Sequence, residues 1–145
     1  MEKTYDSPIE WVARHARSYV DSDGLEGGRL FDNDILLITT RGRRTGLLRR
    51  TPLMYGRDGE RYIVVASYRG RPAHPCWYLN LETNPDVTLQ VGPDVFPAKA
   101  IGVPDRDRPA LWGLMTGLFP TFADYQKQTL RRFPIIALQP LPSWA

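Results

Sequence analysis

The chain has 145 residues, 42% of them apolar, which is enough for one folded domain with a core and too many for a disordered tail. A single cysteine excludes an intramolecular disulfide framework, and with only two histidines it argues against a zinc or other metal site. No apolar run reaches the roughly 20 residues of a membrane span, and the first residues lack a signal-peptide pattern, so we expect a cytoplasmic protein.

The formal net charge is only +3, but the basic residues are unevenly distributed. Residues 41–71 contain nine arginines and two acidic residues, a balance of +7, whereas the rest of the chain has a balance of −4. A solvated surface would account for this pattern. Guanidinium groups also suit phosphates and carboxylates, so the sharper interpretation is an anion site. Nucleic acid is not expected as a partner, because no nucleic-acid-binding motif accompanies the arginines.

Residues 1–30 are predicted to form an N-terminal helix and a connector. Ser7 is the expected cap, Pro8 occupies the first helical position, and Glu10 completes a capping box. The apolar face is expected to contain Ile9, Val12, Ala13, Ala16, Tyr19 and Val20. Two arrangements stay open for this helix. It packs on the body of the protein, which is the more common outcome, or it makes peripheral contact with a membrane through Trp11.

Residues 31–145 are predicted to form the main domain. The apolar and alternating segments predict strands over 35–40, 49–56, 61–67, 86–91, 95–103 and 134–139. Helices are expected over 75–82, over 105–118 with Asp105 as the cap, and from residue 121 or 124. Sequential hairpins without a βαβ alternation favour an antiparallel barrel. The unbroken apolar run at 62–66 predicts a strand that is buried on both faces.

A turn rich in arginine and glycine separates the first two of these strands, at residues 42–46. Its glycines allow backbone N–H groups to point into a concavity, while its threonine and two arginines add a hydroxyl and charge. This combination predicts a phosphate-binding turn, although it is neither a Walker loop nor a dinucleotide fingerprint. Arg49 and Arg50 follow on a strand, where neighbours point to opposite faces, so at most one of them faces a given ligand.

Residues 67–78 contain several candidates for contact with a flat ligand. Ser67 ends a buried strand, and its hydroxyl bonds either a polar ring edge or the backbone of the loop. The rings of Trp77 and Tyr78 either flank a ligand or belong to the core. Cys76 is expected to pack rather than react. His74 is a weak candidate for a catalytic base, because no partner carboxylate is evident in the sequence.

Six short motifs follow one another in a fixed order. They are TTRGRRTG at 39–46, R-x-x-P-L at 49–53, DG at 58–59, VASYRG at 65–70, HP-x-WY-x-NL-x-x-NP at 74–85 and P-x-x-x-DYQ at 120–126. Together they resemble the deazaflavin-dependent nitroreductase family, the F-420-dependent quinone and nitroimidazole reductases of actinobacteria. Each motif alone is weak, whereas the combination is specific and spans most of the chain.

The resemblance implies a mainly β, α+β fold: a split β-barrel of about six antiparallel strands with flanking helices, related to flavin-binding pyridoxamine-phosphate oxidases. It implies coenzyme F-420, an 8-hydroxy-5-deazaflavin, as the cofactor. The implied reaction is hydride transfer from reduced F-420 to a small electrophile such as a quinone, an enone or a nitroaromatic. The phosphate and oligoglutamate tail of F-420 would give the basic segment a polyanionic partner.

The resemblance also implies a set of site residues. The phosphate end of the cofactor would contact Arg43, Arg44, Thr45, Gly46 and Arg49, and Thr51 and Pro52 would lie along it. The deazaflavin edge would contact Ala66, Ser67 and Tyr68, with Cys76 and Trp77 beside them. The acceptor would contact Met54, Phe119, Phe122 and Tyr125. Ser67 and Tyr125 would be the catalytic residues.

The expected acceptor pocket departs from that of relatives. Met54, Phe119 and Phe122 stand where relatives carry tyrosines, so only Tyr125 keeps a phenol that can donate a proton. We therefore expect a more apolar pocket, in which nitroimidazole reduction is weak and quinone or enone reduction persists.

Other function classes stay open on the same barrel. One is a non-catalytic protein that binds F-420, a bilin or a lipid, which the missing tyrosines would favour. Another is an oxidoreductase that uses flavin mononucleotide. A monomer and a homodimer both fit the resemblance.

Overall fold

The computed structural model describes residues 2–142. Within that stretch nine strands form: β1 (Thr4–Tyr5), β2 (Arg29–Leu30), β3 (Asn33–Arg41), β4 (Leu48–Met54), β5 (Gly56–Asp58), β6 (Arg61–Val65), β7 (Asp86–Val91), β8 (Asp94–Gly102) and β9 (Ile135–Pro140). The helices of the same stretch are α1 (Glu10–Asp21), α2 (Cys76–Thr83), α3 (Arg108–Leu118) and α4 (Thr121–Lys127), and a single 3-10 turn covers Tyr68–Gly70.

The strands form a sheet whose two ends are joined by one stretch of chain. The order is β1-β4-β3-β7-β8-β9-β6-β5, with β2 paired to β3 outside this path. The pairs are antiparallel except for the short parallel contact of β1 with β4. β4 pairs with β3 at one end and β5 pairs with β6 at the other, yet only Tyr55 separates β4 from β5. The sheet therefore closes on itself as a barrel.

Each of the six predicted strands is present, and the larger number comes from short elements. The strand expected over 49–56 is divided at Tyr55, whose N–H donates to the carbonyl of Asp34 at 3.1 Å. β1 and β2 have two residues each, which is too short for alternating polarity to reveal them. The expected six strands are therefore corrected to nine within residues 2–142.

Buried side chains collect into three clusters. The barrel interior holds Leu36, Ile38, Tyr62, Val64, Ala66, Trp77, Leu81, Val87, Leu89, Ala98, Ile136 and Leu138. A second cluster, between the barrel and α3–α4, holds Ile63, Val65, Leu111, Met115, Phe122, Phe133, Ile135 and Ala137. A third, beneath α1, holds Ala16, Tyr19, Ile35 and Leu37. Because Val64 and Ile63 enter different clusters, the burial of β6 on both faces is confirmed.

The N-terminal helix packs on the barrel but begins later than predicted. Ile9 has an extended backbone (φ −80°, ψ 116°), so α1 starts at Glu10 and both Ser7 and Pro8 precede it. The Ser7 hydroxyl accepts from the N–H of Ile9 at 3.1 Å and caps nothing, while Glu10 pairs with Arg17 at 2.9 Å instead of closing a capping box. Across residues 2–142, none of the helices combines the length and the apolar character that a bilayer crossing requires.

The predicted cap of α3 is also corrected. α3 begins at Arg108 after Asp107, and the carboxylate of Asp105 pairs with Arg132 at 3.0 Å. Asp105 lies three residues before the helix, too far for its side chain to reach the N–H groups of the first turn. The other two helices form where they were expected, at α2 and α4.

Candidate active site

The turn between β3 and β4, residues 42–47, is termed here the arginine turn. The N–H of Gly42 donates to the carbonyl of Leu47 at 2.7 Å, and the N–H of Gly46 donates to the carbonyl of Gly42 at 2.8 Å. Gly46 has a φ of +70°, a conformation that suits glycine. The side chains of Arg43, Arg44 and Thr45 are exposed. The turn is therefore closed by its own backbone while its cationic side chains face solvent.

Asn80, on α2, holds this turn against the barrel. Its buried side-chain oxygen accepts from the backbone N–H of Arg43 at 3.1 Å and from the guanidinium of the same residue at 3.4 Å. Its amide donates to the hydroxyl of buried Thr40 at 3.2 Å. Sequence analysis assigns Asn80 no role. The one feature that could have indicated a role is its amide among the apolar residues of α2.

Several arginines of the basic segment are neutralised by the protein itself. Arg50 makes a two-pronged pair with Asp6, at 2.8 and 2.9 Å. Arg41 pairs with Glu2 in the same way, and Arg61 pairs with Asp58. These contacts leave fewer cations for a ligand than the balance of +7 suggests.

The arginines without an acidic partner within residues 2–142 include Arg43, Arg44 and Arg49. Arg49 lies over the ring of Tyr5, with its guanidinium carbon 5.7 Å from the ring centre. Arg49 and Arg50 point to opposite faces of β4, as the alternation of a strand predicts. The three cations form a donor set that fits phosphate and carboxylate groups.

The alternation of β4 separates residues that the resemblance grouped together. Thr51 lies on the same face as Arg49, and this face continues into the barrel interior through Leu53. Pro52 and Met54 lie on the opposite face, where Met54 packs against the cluster beneath α1. The structure therefore brings Arg49 and Thr51 together, and Met54 packs against a different cluster from the C-terminal aromatic residues.

Residues 66–71 follow β6 and are termed here the Ser67 loop. Ala66 and Ser67 are buried, whereas Tyr68 is 39% exposed. Tyr68, Arg69 and Gly70 have φ values of +45°, +54° and +76°, so three successive residues are left-handed. That conformation costs a non-glycine residue about 1–2 kcal/mol, so surrounding contacts must hold it.

The Ser67 loop packs tightly on α4. A Cβ added to Gly70 would lie 2.6 Å from the carbonyl oxygen of Tyr125, which leaves no room for any other residue at that position. The two predicted catalytic residues, Ser67 and Tyr125, thus belong to elements in direct contact. The glycine in the VASYRG motif permits this approach.

Arg131, between α4 and β9, fastens the Ser67 loop. Its guanidinium donates to the carbonyls of Ala66, Ser67 and Arg71 at 3.0, 2.7 and 3.0 Å. The same group lies 3.0 Å from Nδ1 of His74. Burial lowers the pKa of both Arg131 and His74, and for His74 the nearby guanidinium adds to the effect. The sequence predicts none of this, because no motif marks Arg131.

The C-terminal aromatic residues that the resemblance grouped together lie close to one another. The ring of Phe119 lies 5.0 Å from that of Phe122 and 6.4 Å from that of Tyr125, both in edge-on geometry. Phe31 extends this group, stacked 5.9 Å from Phe119 and 70% exposed. Phe31 sits in the tight β2–β3 turn, where no sequence pattern indicates an aromatic contact.

Cys76 and Trp77 occupy different environments. Trp77 is buried in the barrel interior, in the same cluster as Ala66. Cys76 begins α2 and is exposed, so the expectation that it packs is wrong. Burial and the neighbouring Glu82 carboxylate raise the pKa of Tyr78 to about 12, so this phenol stays protonated at neutral pH.

The chain is similar in sequence to known proteins over nearly its full length. A family model described as F420H(2)-dependent quinone reductase matches residues 11–140. The F420H(2)-dependent quinone reductase Rv1261c of Mycobacterium tuberculosis (strain H37Rv) is 41% identical over 134 residues, which is 90% of each chain.

Solved structures show the same likeness. The structure of the F420-H2 dependent reductase FDR-A is 37% identical with a TM-score of 0.67 and covers 72% of this chain and 93% of its own. A second, described as a domain-swapped dimer, is 34% identical with a TM-score of 0.70 and covers 92% of this chain and 100% of its own.

More distant structures, 11% and 12% identical at TM-scores of 0.52 and 0.54, have the same split β-barrel and show the fold alone. The expected α+β split barrel is confirmed. The extent of the family match and the similar relatives lead to one conclusion: the chain belongs to the F420H(2)-dependent quinone reductase family.

Proposed function

We propose that this protein is an oxidoreductase that transfers a hydride from reduced coenzyme F-420 to a quinone. The observation that carries the proposal is the group of three arginines, Arg43, Arg44 and Arg49, without acidic partners in the described chain and adjacent to the barrel. An anionic cofactor satisfies these cations, and the family match names F-420 as the cofactor of its members.

The residues present fit the two chemical parts of F-420. The guanidinium groups of the arginine turn and the Thr45 hydroxyl suit the phosphate and the glutamate carboxylates of the tail. Thr51 continues from Arg49 toward the barrel, where the backbone of Ala66, Ser67 and Tyr68 would border the flat ring. We keep these residues in the proposed cofactor site, together with Gly46 and Trp77. We leave Pro52 and Cys76 out of the proposed cofactor site, because Pro52 lies on the face of β4 opposite Arg49 and Cys76 is exposed at the start of α2.

The reduced deazaflavin, when bound, supplies the hydride, and a quinone that gains this hydride and one proton becomes a hydroquinone. The protein binds the cofactor and the acceptor, orients them toward each other and excludes water. Phe119, which is half-buried, would offer the acceptor apolar ring surface, and buried Phe122 supports that ring edge-on. Tyr125, half-buried beside Phe119, would hold the proton for the quinone oxygen.

We further propose that the protein forms a homodimer. The relative that is described as a domain-swapped dimer covers 92% of this chain, which supports a related assembly here. Sedimentation velocity of the purified protein tests this: a single species at the dimer mass is expected, and a monomer at all concentrations would contradict it.

The function is tested by binding and turnover measured together. Oxidised F-420 and flavin mononucleotide are titrated in parallel and followed by cofactor fluorescence, and reduced F-420 is then mixed with menadione without oxygen. Selective F-420 binding with rapid oxidation of the reduced form is expected. Selective flavin binding would favour a flavin mononucleotide enzyme, and F-420 binding without oxidation would favour a non-catalytic carrier.

A further inference from the structure

The side chain of Arg131 bonds to a segment about sixty residues earlier in the sequence. Its three nitrogens reach three backbone carbonyls of the Ser67 loop and the ring of His74, and its guanidinium also lies 4.7 Å from the centre of the Phe133 ring. The side chain of Gln126 in turn accepts from the N–H of Phe133 and donates to the carbonyl of Arg131, at 3.3 and 2.7 Å. Gln126 thus holds the backbone at Arg131, while the guanidinium is held by the Ser67 loop and His74.

Because Arg131 holds these carbonyls, it also fixes the direction of the N–H group on the other side of each peptide. In a trans peptide the C=O and the N–H are antiparallel, and the described chain contains no cis peptide. The Ala66 and Ser67 carbonyls face the guanidinium, so the N–H groups of Ser67 and Tyr68 point away from it. Neither N–H has an acceptor within residues 2–142.

We propose that Arg131 is a positioning residue for the deazaflavin ring: by holding the Ala66 and Ser67 carbonyls, it directs the N–H groups of Ser67 and Tyr68 toward the ring carbonyls. The inference rests on the proposed function and deepens it. The pyrimidinedione edge of a deazaflavin carries two carbonyl acceptors, and a pair of N–H groups without a protein partner suits such an edge.

The left-handed residues of the Ser67 loop explain why the Arg131 side chain must hold several of its carbonyls. Tyr68 and Arg69 would relax from φ values of +45° and +54° if the loop were released. The N–H of Gly70 also donates to the Ser67 carbonyl, at 3.0 Å, so this oxygen anchors both the arginine and the turn. Loss of the guanidinium would therefore let the loop relax. The two N–H groups would change direction while the barrel stays folded.

The test compares binding of two probes by four variants. The probes are oxidised F-420 and 8-hydroxy-5-deazariboflavin, which has the ring without the phosphate and glutamate tail. Arg131→Ala is expected to weaken both probes by the same factor, about tenfold, because the ring is common to them. The visible absorption of the bound ring should also move toward that of the free probe. Arg131→Lys keeps the charge but cannot span the three carbonyls, so it should remain several-fold weaker than wild type.

Two arginines outside the Ser67 loop provide matched controls. Arg132→Ala removes the neighbouring charge, whose partner is Asp105. Arg108→Ala removes another half-buried guanidinium that donates to a backbone carbonyl, that of Phe133, at 2.7 Å. Both controls are expected to bind the two probes as wild type does. If Arg131→Ala does not fold, Arg131→Lys carries the comparison.

The outcomes separate this inference from the proposed function. Wild-type protein that binds neither probe would overturn both. Wild-type binding with Arg131 variants that match the two controls in affinity and spectrum would overturn the inference alone. A loss confined to F-420, with the tail-less probe unaffected, would show that Arg131 acts on the tail through charge, and would also overturn it.

Discussion

The arginine turn and the Ser67 loop are both proposed to bind one cofactor, yet they are built in opposite ways. The arginine turn presents exposed cations on a backbone that closes on itself. The Ser67 loop is strained and partly buried, and a distant guanidinium holds its carbonyls. The first region contributes charge, which salt screens, whereas the second contributes direction, which salt leaves unchanged. The proposed cofactor combines an anionic tail with a flat ring, and the two regions suit these parts in different ways.

The largest expected effect is on stability and compares one glycine from each region. Gly70→Ala forces a Cβ to within 2.6 Å of the Tyr125 carbonyl at a φ of +76°, so we expect a loss of about 3 kcal/mol. Gly46→Ala has a φ of +70° but meets nothing within 4 Å, so about 1 kcal/mol is expected. Urea unfolding measures both losses. Equal losses would show that the Ser67 loop accommodates an added Cβ as readily as the arginine turn does.

The next effect concerns charge in the arginine turn and on β4. Arg44→Ala and Arg49→Ala should each weaken F-420 binding by about 1–3 kcal/mol, the loss expected for a hydrogen bond to a charged group. The dependence of affinity on salt should also become shallower. Fluorescence titration at several salt concentrations measures this.

Arg50→Ala is the matched control for these two variants. Arg50 is adjacent to Arg49 but lies on the opposite face of β4, paired with Asp6. Its removal should leave the F-420 affinity unchanged. A loss equal to that of Arg49→Ala would mean that general surface charge, rather than one face of the strand, attracts the cofactor.

A smaller effect is expected at the phenol beside the Ser67 loop. Tyr125→Phe should lower turnover with menadione about tenfold, or about 1.4 kcal/mol of activation free energy, without changing the Kd for F-420. Tyr55→Phe is a suitable control, because burial raises the pKa of that phenol to about 12 and its ring packs against the barrel-interior cluster. Turnover equal in wild type and Tyr125→Phe would exclude Tyr125 as the proton donor.

The smallest effect is on pH dependence and involves His74. The groups facing its ring are Arg131, Tyr78 and Glu82, and burial with the guanidinium lowers its pKa below 6.5. The unfolded chain therefore binds the proton more readily, so the stability from neutral His74 is full above 6.5 and declines as the pH falls through the folded pKa. Urea midpoints between about pH 5 and pH 7 should show a slope that His74→Gln reduces. An identical slope in the variant would contradict this.

The sequence predicts the arginine turn well and the Ser67 loop poorly, for a physical reason. Turn glycines, charges and the alternation along β4 are local properties, so the adjacency of Arg49 and Arg50 is enough to assign them to opposite faces. The six main strands follow from alternation in the same way. The contacts of Arg131 join residues about sixty positions apart, and no local pattern carries that information. Asn80 and Phe31 escape prediction because their partners are also distant in sequence.

The same limit explains the corrected helix ends and the exposed cysteine. Ser7 and Asp105 are suitable caps by residue type, but each lies too far ahead of its helix, and each side chain finds another partner. Cys76 is apolar and lies beside a core tryptophan, yet α2 turns it outward. Local propensity decides which elements exist, and tertiary contacts decide where each one begins.

The position of β9 in the barrel has a consequence for how the chain is made. β9 lies between β6 and β8 and hydrogen-bonds to both, although it follows every other described strand in the sequence. Until Pro140 has left the ribosome, β6 and β8 each present an unpaired edge, which favours association with other nascent chains. Completion of the barrel must therefore wait until nearly all of the described chain has been synthesised. A truncation that removes β9 should yield an aggregating product, not a smaller folded barrel.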